Sequence, residues 1–297
     1  MRKAYIILTH KDANHLQRLV SRLDDGLSFF FIHVDLKSDF KPFQALLGFL
    51  PKVFMVKRVV TDWASFGLVK APINAFETIK SSKIDFDRIS LLSGQDYPIK
   101  SNKKIDEFFG TSNQSVFMEY FTLPNYQRWL NGGLYRLNKY FFGLKLPYKY
   151  ASKAANLTST LIPVLSRKLP QHLKPYCGSQ WWTIDMYALN YILNYLRENP
   201  KYMPYHRFTF APDELFFQII LLNTKDERLK KSIENNNLRF THWLRLDNPH
   251  PEILLKEDLG SIKDSEALFA RKFDESVDKE ILNMIDSECL NVVGKND

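Results

Sequence analysis

Cysteine is close to absent from this 297-residue chain, which has only Cys177 and Cys289, far apart and without metal-ligand spacing. That argues against a disulfide framework and for a reducing compartment. Long apolar runs are missing too, since no window approaches the ~20 residues of a membrane span. Met1-Arg2-Lys3 followed by Ala4 to Leu8 imitates a signal peptide, but His10, Lys11 and Asp12 end the run too early. The expectation is a soluble cytoplasmic protein, with room for peripheral contact with an anionic membrane. Glycine is sparse, at 11 residues, and neither G-x-G-x-x-G nor G-x-x-x-x-G-K-[ST] occurs. G-x-S-x-G is also missing, so kinase and hydrolase readings lose their best support. The sole Asp-x-Asp, Asp85-Phe86-Asp87, precedes an apolar strand instead of following one, and suits a loop or capping pair. No His, Cys, Asp or Glu cluster has metal spacing, so no metal or cofactor is expected. Internal repeats and low-complexity segments are absent.

What is present is aromatic and basic. The 23 Phe, 14 Tyr and 5 Trp can fill a large core and still furnish a cleft. The net charge of +8 suggests an anionic partner, although the cations are spread along the chain. The first hundred residues alternate between strand-like and helix-like segments. Strands are expected at Ala4–Thr9, Phe29–Ile32, Val53–Val56 and Ile89–Leu92, the last broken by Ser93 to Pro98. Helices are expected after Asn14 as cap, over Phe43–Leu50, and after Trp63 with Pro72 kinking or restarting it. This alternation predicts an α/β fold with a mostly parallel sheet, whose ligands sit beyond the carboxyl ends of the strands. Those ends carry Thr9-His10, His33-Val34-Asp35 and Ser93-Gly94-Gln95-Asp96.

Beyond Thr111 the character changes. Val116 to Tyr120 reads as a strand carrying Glu119, and residues 124 to 176 interleave rings with cations. That mixture suits sugar stacking, nucleic acid or a membrane surface equally. Lys145 to Pro170 reads as a mobile excursion. Gly178 to Thr183 returns as a strand, followed by a helix from Met186 to about Asn199. Phe210-Ala-Pro-Asp-Glu214 reads as a helix start, with Pro212 in the first turn and Asp213 as cap. A carboxylate so mounted can serve as a general base, and Arg271 and Lys272 can neutralise a diphosphate. The simplest chemistry is a one-step displacement, with Glu214 deprotonating an acceptor hydroxyl that attacks an anomeric carbon.

The ordered motifs resemble those of the core-2/I-branching β-1,6-N-acetylglucosaminyltransferases and the related peptide O-xylosyltransferases. The resemblance runs from Ala4 to about Asp274. It rests on Phe31-Ile-His-Val-Asp-Leu-Lys-Ser38, Trp63-Ala-Ser65, Leu92-Ser-Gly-Gln-Asp-Tyr-Pro-Ile-Lys-Ser-Asn102, Gly178-Ser179, Pro212-Asp213-Glu214 and Phe269-Ala-Arg-Lys-Phe-Asp274. It implies a GT-A-like fold spanning residues 1–297, with a nucleotide-sugar half (1–110) and an acceptor half (111–297). It also implies an inverting, metal-independent transfer from a UDP-sugar. Glu214 matches the family's base and Lys272 its diphosphate contact, with Arg271 beside it and Arg245 as candidate second arginine. His10, Asp35, Ser65, Gly94 and Asp96 fall in donor-side motifs, and Glu119, Arg128 and Trp243 match acceptor contacts. The expected partners are a UDP-sugar, favouring N-acetylglucosamine or xylose, and an oligosaccharide or lipid-linked glycan, with no nucleic acid. The lack of an anchor and of disulfides fits a bacterial relative assembling surface polysaccharide or lipid-linked glycan. The alternative is a catalytically inactive UDP- or glycan-binding module.

Overall fold

The computed structural model describes residues 1–170, 172–244 and 250–290. In chain order the strands are β1 Lys3–Thr9, β2 Phe29–Val34, β3 Val53–Met55, β4 Arg88–Ser93, β5 Asp96–Pro98, β6 Val116–Thr122, β7 Tyr176–Ile184, β8 Ile233–Glu234, β9 Arg239–Thr241 and β10 Phe269–Arg271. Seven form a mixed, mostly parallel sheet in the order β3-β2-β1-β4-β7-β6-β8. β3, β2, β1 and β4 run parallel, and β7 is antiparallel to both neighbours. This is the α/β architecture expected.

β1 is buried along its whole length, because both faces of the sheet are covered. The period-2 alternation divides its residues between two cores. Ala4, Ile6 and Leu8 join Phe31, Ile89 and Leu91 against the helix Gly67–Ser82, through Val69, Ile73, Phe76 and Ile79. Tyr5 and Ile7 join Phe30, Ile32 and Leu92 against the helix Ala13–Leu23, through Leu16, Leu19, Val20 and Leu23. The run after the Pro-Asp-Glu segment is buried as Phe216–Leu221, with the Phe217 ring packed on Trp182 and Phe76 of the first core.

Several local expectations are corrected. The first helix is capped by Asp12, whose Oδ1 accepts from His15 N at 2.9 Å, and not by Asn14. Helix Gly67–Ser82 runs through Pro72 without a break, with Pro72 buried among Ala71, Ile73 and Ala75. The Ser93–Pro98 segment does more than end β4. Its Asp96–Pro98 is a strand of a second sheet, ordered β5-β10-β9, that pairs the first third of the chain with the Phe269–Arg271 segment. Residues 145–170 carry a helix, Tyr148–Leu161, and a short 3-10 turn, Pro163–Leu165.

Candidate active site

Glu214 ends a 3-10 turn, Pro212–Glu214, that is separate from the helix Phe216–Leu222. The expected capping role of Asp213 is not found. Neither element has a side-chain cap, and Asp213 Oδ1 is buried without a hydrogen-bond partner. Burial and the adjacent Glu214 carboxylate push Asp213 well above the usual carboxylate range. The turn is held instead by its backbone: Ala211 N donates to Ala64 O at 3.0 Å. Both alanines lie in the left-handed region, at φ 46° and 60°, a conformation that costs an L-residue about 1 kcal/mol. Trp63 meets Phe210 edge-on at 5.6 Å, so the Trp63-Ala-Ser65 motif acts as the seat of the Glu214 turn. Ser65 itself closes the turn before Gly67–Ser82, its Oγ accepting from Gly67 N at 3.3 Å.

Arg136, on the short helix Tyr135–Asn138, donates from Nη2 to Glu214 Oε2 at 2.6 Å and from Nη1 to Cys177 Sγ at 3.0 Å. Its guanidinium lies over Trp129 and Phe210. The Arg136 side chain is 5% exposed and that of Glu214 is 38% exposed. The carboxylate is therefore anchored on one oxygen while remaining partly exposed. Burial would lower the Arg136 pKa, but Glu214 and Cys177 beside it hold it above its ordinary value, and burial pushes the Cys177 thiol up to about 12.

A field of positive charge faces this carboxylate from the carboxyl ends of the strands. Burial, Arg271 and Lys11 depress Lys272, which pairs with no carboxylate among the described residues. Its backbone is fixed on both sides: Leu254 N donates to Lys272 O at 2.8 Å and Phe273 N to Gln95 O at 2.9 Å. His10 is lowered by burial and by Lys11, with Lys272 and Lys37 adding to the effect and Asp35 opposing it. His250 is lowered by burial, Lys272 and Arg271 against the pull of Glu214, and its ring meets Trp63 at 5.7 Å. Such a concentration of cations suits an anionic diphosphate. Asp35 organises the adjoining loop: Oδ1 accepts from Lys37 N at 2.7 Å, and Oδ2 accepts from Thr61 N at 2.9 Å and from the Thr61 hydroxyl. Gly94 lets the ends of β4 and β1 approach, since a Cβ there would lie 2.4 Å from Thr9 Oγ1.

Asp96 is enclosed by two arginines. Its carboxylate is fully buried, 3.2 Å from Arg271 Nε and 3.6 Å from Arg239 Nε. Burial pushes Asp96 up against the pull of the two guanidiniums. Arg271 is thereby committed on one edge to Asp96 and on its face to Trp181, at 4.2 Å. Lys272 is left as the less committed of the two neighbouring cations.

The acceptor candidates Glu119 and Arg128 come together. Glu119 Oε1 accepts from Arg128 Nη1 at 3.3 Å, Oε2 accepts from Asn237 Nδ2 at 3.0 Å, and Arg128 lies over Phe121. They are linked to the Arg136–Glu214 pair through β7, where Cys177 pairs with Phe121 and Gly178 with Tyr120. Trp243, half-exposed just past β9, donates to Thr241 Oγ1 at 3.0 Å. Arg245 lies outside the described residues. Among the described residues, one trio could bring three metal-ligating atoms within 4.8 Å: Asp12, His15 and Glu275. Asp12 is already engaged as a helix cap and His15 is buried, so the trio is accounted for by a helix start tied to the 274–276 turn. The sequence reading missed Arg136, His250 and Lys11. Arg136 stood among many ring-flanked cations, and nothing local ties it to a carboxylate 78 residues away.

The profile of the Core-2/I-Branching enzyme family matches residues 3–263. A xylosyltransferase of Ciona intestinalis is 23% identical over 307 residues, covering 96% of this chain and 34% of its own length. Beta-1,3-galactosyl-O-glycosyl-glycoprotein beta-1,6-N-acetylglucosaminyltransferase 4 of Mus musculus is 24% identical over 225 residues, 73% of this chain and 46% of that one. The chain thus spans about a third of the xylosyltransferase's length. Among solved structures, mouse xyloside xylosyltransferase 1 in its apo form aligns over 90% of this chain and 97% of that one, at 12% identity and a TM-score of 0.34.

Proposed function

We propose, on the premise that the chain belongs to the Core-2/I-Branching enzyme family, that it is an inverting glycosyltransferase. It moves a sugar, N-acetylglucosamine or xylose by preference, from a UDP-sugar to a hydroxyl of a glycan or lipid-linked glycan acceptor. Glu214 carries this reading, being a half-exposed carboxylate anchored at 2.6 Å by a buried arginine beside a field of cations. With Oε2 occupied by Arg136, Oε1 is the oxygen left to accept the proton of the acceptor hydroxyl. The hydroxyl oxygen bonds to the anomeric carbon from the face opposite the UDP. The bond from that carbon to the diphosphate oxygen breaks, the electron pair leaves with UDP, and the anomeric configuration inverts. Lys272, with Arg271, His10 and His250 nearby, offsets the charge that develops on the leaving diphosphate, the task a divalent metal performs in other transferases.

The test is UDP release with a panel of UDP-sugars, for the natural chain and Glu214→Gln, with and without EDTA. Turnover is expected to survive EDTA and to fall by roughly 10²–10⁴-fold in Glu214→Gln, with UDP still bound. Full activity in the variant removes Glu214 as the base, and loss with chelator removes the metal-free route. UDP binding without turnover on every donor would leave a binding module in place of an enzyme.

A further inference from the structure

Residues 120–184 contain nine lysines and arginines and not one aspartate or glutamate. Within this stretch the helix Tyr148–Leu161 is turned inside out. Its polar residues face the protein: Ser152 Oγ accepts from Phe142 N at 2.9 Å, Asn156 exchanges hydrogen bonds with the Tyr140 backbone at 2.7 and 2.9 Å, and Ser159 is buried. The residues spaced i, i+4, i+7 and i+11 from Tyr150 form one helical face, Tyr150, Ala154, Leu157 and Leu161, and all four are exposed. Leu157 is 64% exposed, Leu161 73% and Val164, in the following turn, 87%. A helix that folded only to complete a core would present the opposite face inward. Lys145, Lys149, Lys153 and Lys168 flank this stripe, exposed and without an ion pair among the described residues. Lys153 lies over the Tyr150 ring at 5.9 Å.

We propose that this face docks the chain on an anionic lipid membrane, its aliphatic side chains entering the acyl boundary and its lysines meeting the headgroups. Charge selects the occupant. A second copy bound through the same face would set these lysines against their own equivalents. Nucleic acid would use the cations but leave Leu157, Leu161 and Val164 in water. An anionic bilayer satisfies both features together. The surface is also tied to the catalytic turn. Buried Arg167 donates to Phe208 O and Tyr205 O, each at 2.6 Å, and to Thr209 Oγ1 at 2.8 Å, just ahead of Phe210–Glu214.

The test is co-sedimentation of the full chain with phosphatidylcholine vesicles containing about a third phosphatidylglycerol, against phosphatidylcholine alone. Two variants are compared, Leu157→Glu with Leu161→Glu, and Lys145→Glu with Lys149→Glu and Lys153→Glu. All five positions are exposed, and circular dichroism with UDP binding checks that the fold persists. The natural chain is expected to favour the anionic vesicles, less so as salt rises, and each variant to bind them roughly tenfold or more weakly. Glu214→Gln is expected to sediment like the natural chain, so the vesicle result stands apart from the chemistry. Equal partition to neutral and anionic vesicles, or binding unchanged in both variants, overturns the proposal. So does self-association or oligonucleotide binding that the variants abolish while the natural chain ignores vesicles.

Discussion

Arg136 shows what one side chain contributes to the site. It is always charged, nearly buried, and divided between a thiol and one oxygen of Glu214. A fixed cation there holds one carboxylate oxygen of Glu214 and restrains its rotation, so it is a positioning residue that acts through Glu214. Arg136→Lys keeps the charge but loses the planar fork that reaches Cys177 and Glu214 together. Arg136→Met loses both. The expected result for Arg136→Met is a fall in kcat of roughly 10–10²-fold with little change in KM for the donor. Arg136→Lys should recover part of the rate, because the charge beside Glu214 is kept. A merely structural arginine would lower stability and leave kcat and KM of the folded protein where they were, and that outcome would end the positioning role.

At the scale of elements, the site depends on how closely β6 and β7 approach. Their register shifts between Met118 and Tyr120, which places Glu119 at the irregularity, and a Cβ on Gly178 opposite would lie 1.8 Å from Glu119 O. Backbone cannot yield to backbone without the strands parting. Gly178→Ala is therefore expected to cost about 2–4 kcal/mol in denaturant unfolding and to weaken acceptor binding as Glu119 shifts. Gly110→Ala, with nothing within 4 Å of its Cβ near the end of the helix Asn102–Thr111, should gain about 0.5–1 kcal/mol. Equal effects at the two sites would refute the argument. Six of the seven strands of the large sheet, all but the two-residue β8, were legible because their apolar runs are continuous and bounded by polar groups, as in Ala4–Thr9 and Phe29–Val34. β5 was not, because Asp-Tyr-Pro has no strand pattern and pairs only with a segment some 170 residues away. The Glu214 turn was half legible. Pro-Asp-Glu announces a local start, but Ala64 and Arg136, which hold it, are chosen by tertiary contact. The burial of Asp96 was not legible for a related reason, since its sequence neighbours do not reveal the two arginines that enclose it.

For the whole molecule, the buried histidines set the response to acid. Burial lowers His33 to about 4, where its Nε2 accepts from Val59 N at 3.0 Å. Burial lowers His206 to about 3, inside a box of Tyr202, Tyr205 and Phe216, with neither ring nitrogen hydrogen-bonded. Unfolded, both titrate near 6.5, so as pH falls below that value the unfolded chain takes up two protons that the folded chain refuses. Asp213 works in the opposite sense. Raised to about 7 from 3.8, it keeps in the folded state a proton that the unfolded state releases. For these three groups, two minus one leaves a net uptake of about one proton on unfolding, a contribution of about 1.4 kcal/mol of stability lost per pH unit on acidification, which Asp96, also raised by burial, opposes. His10 and His250, also lowered, add in the same direction below 6.5. Carboxylates held low, such as Asp25 at about 2, add their loss only below the ordinary carboxylate range. Urea midpoints should therefore fall steadily from near neutrality to about pH 4.5. His206→Phe, which fills the aromatic box without a titrating group, should remove about one proton from that dependence, flattening the slope by about 1.4 kcal/mol per pH unit. A variant whose midpoints follow the natural chain across this range would show that His206 takes up its proton while folded.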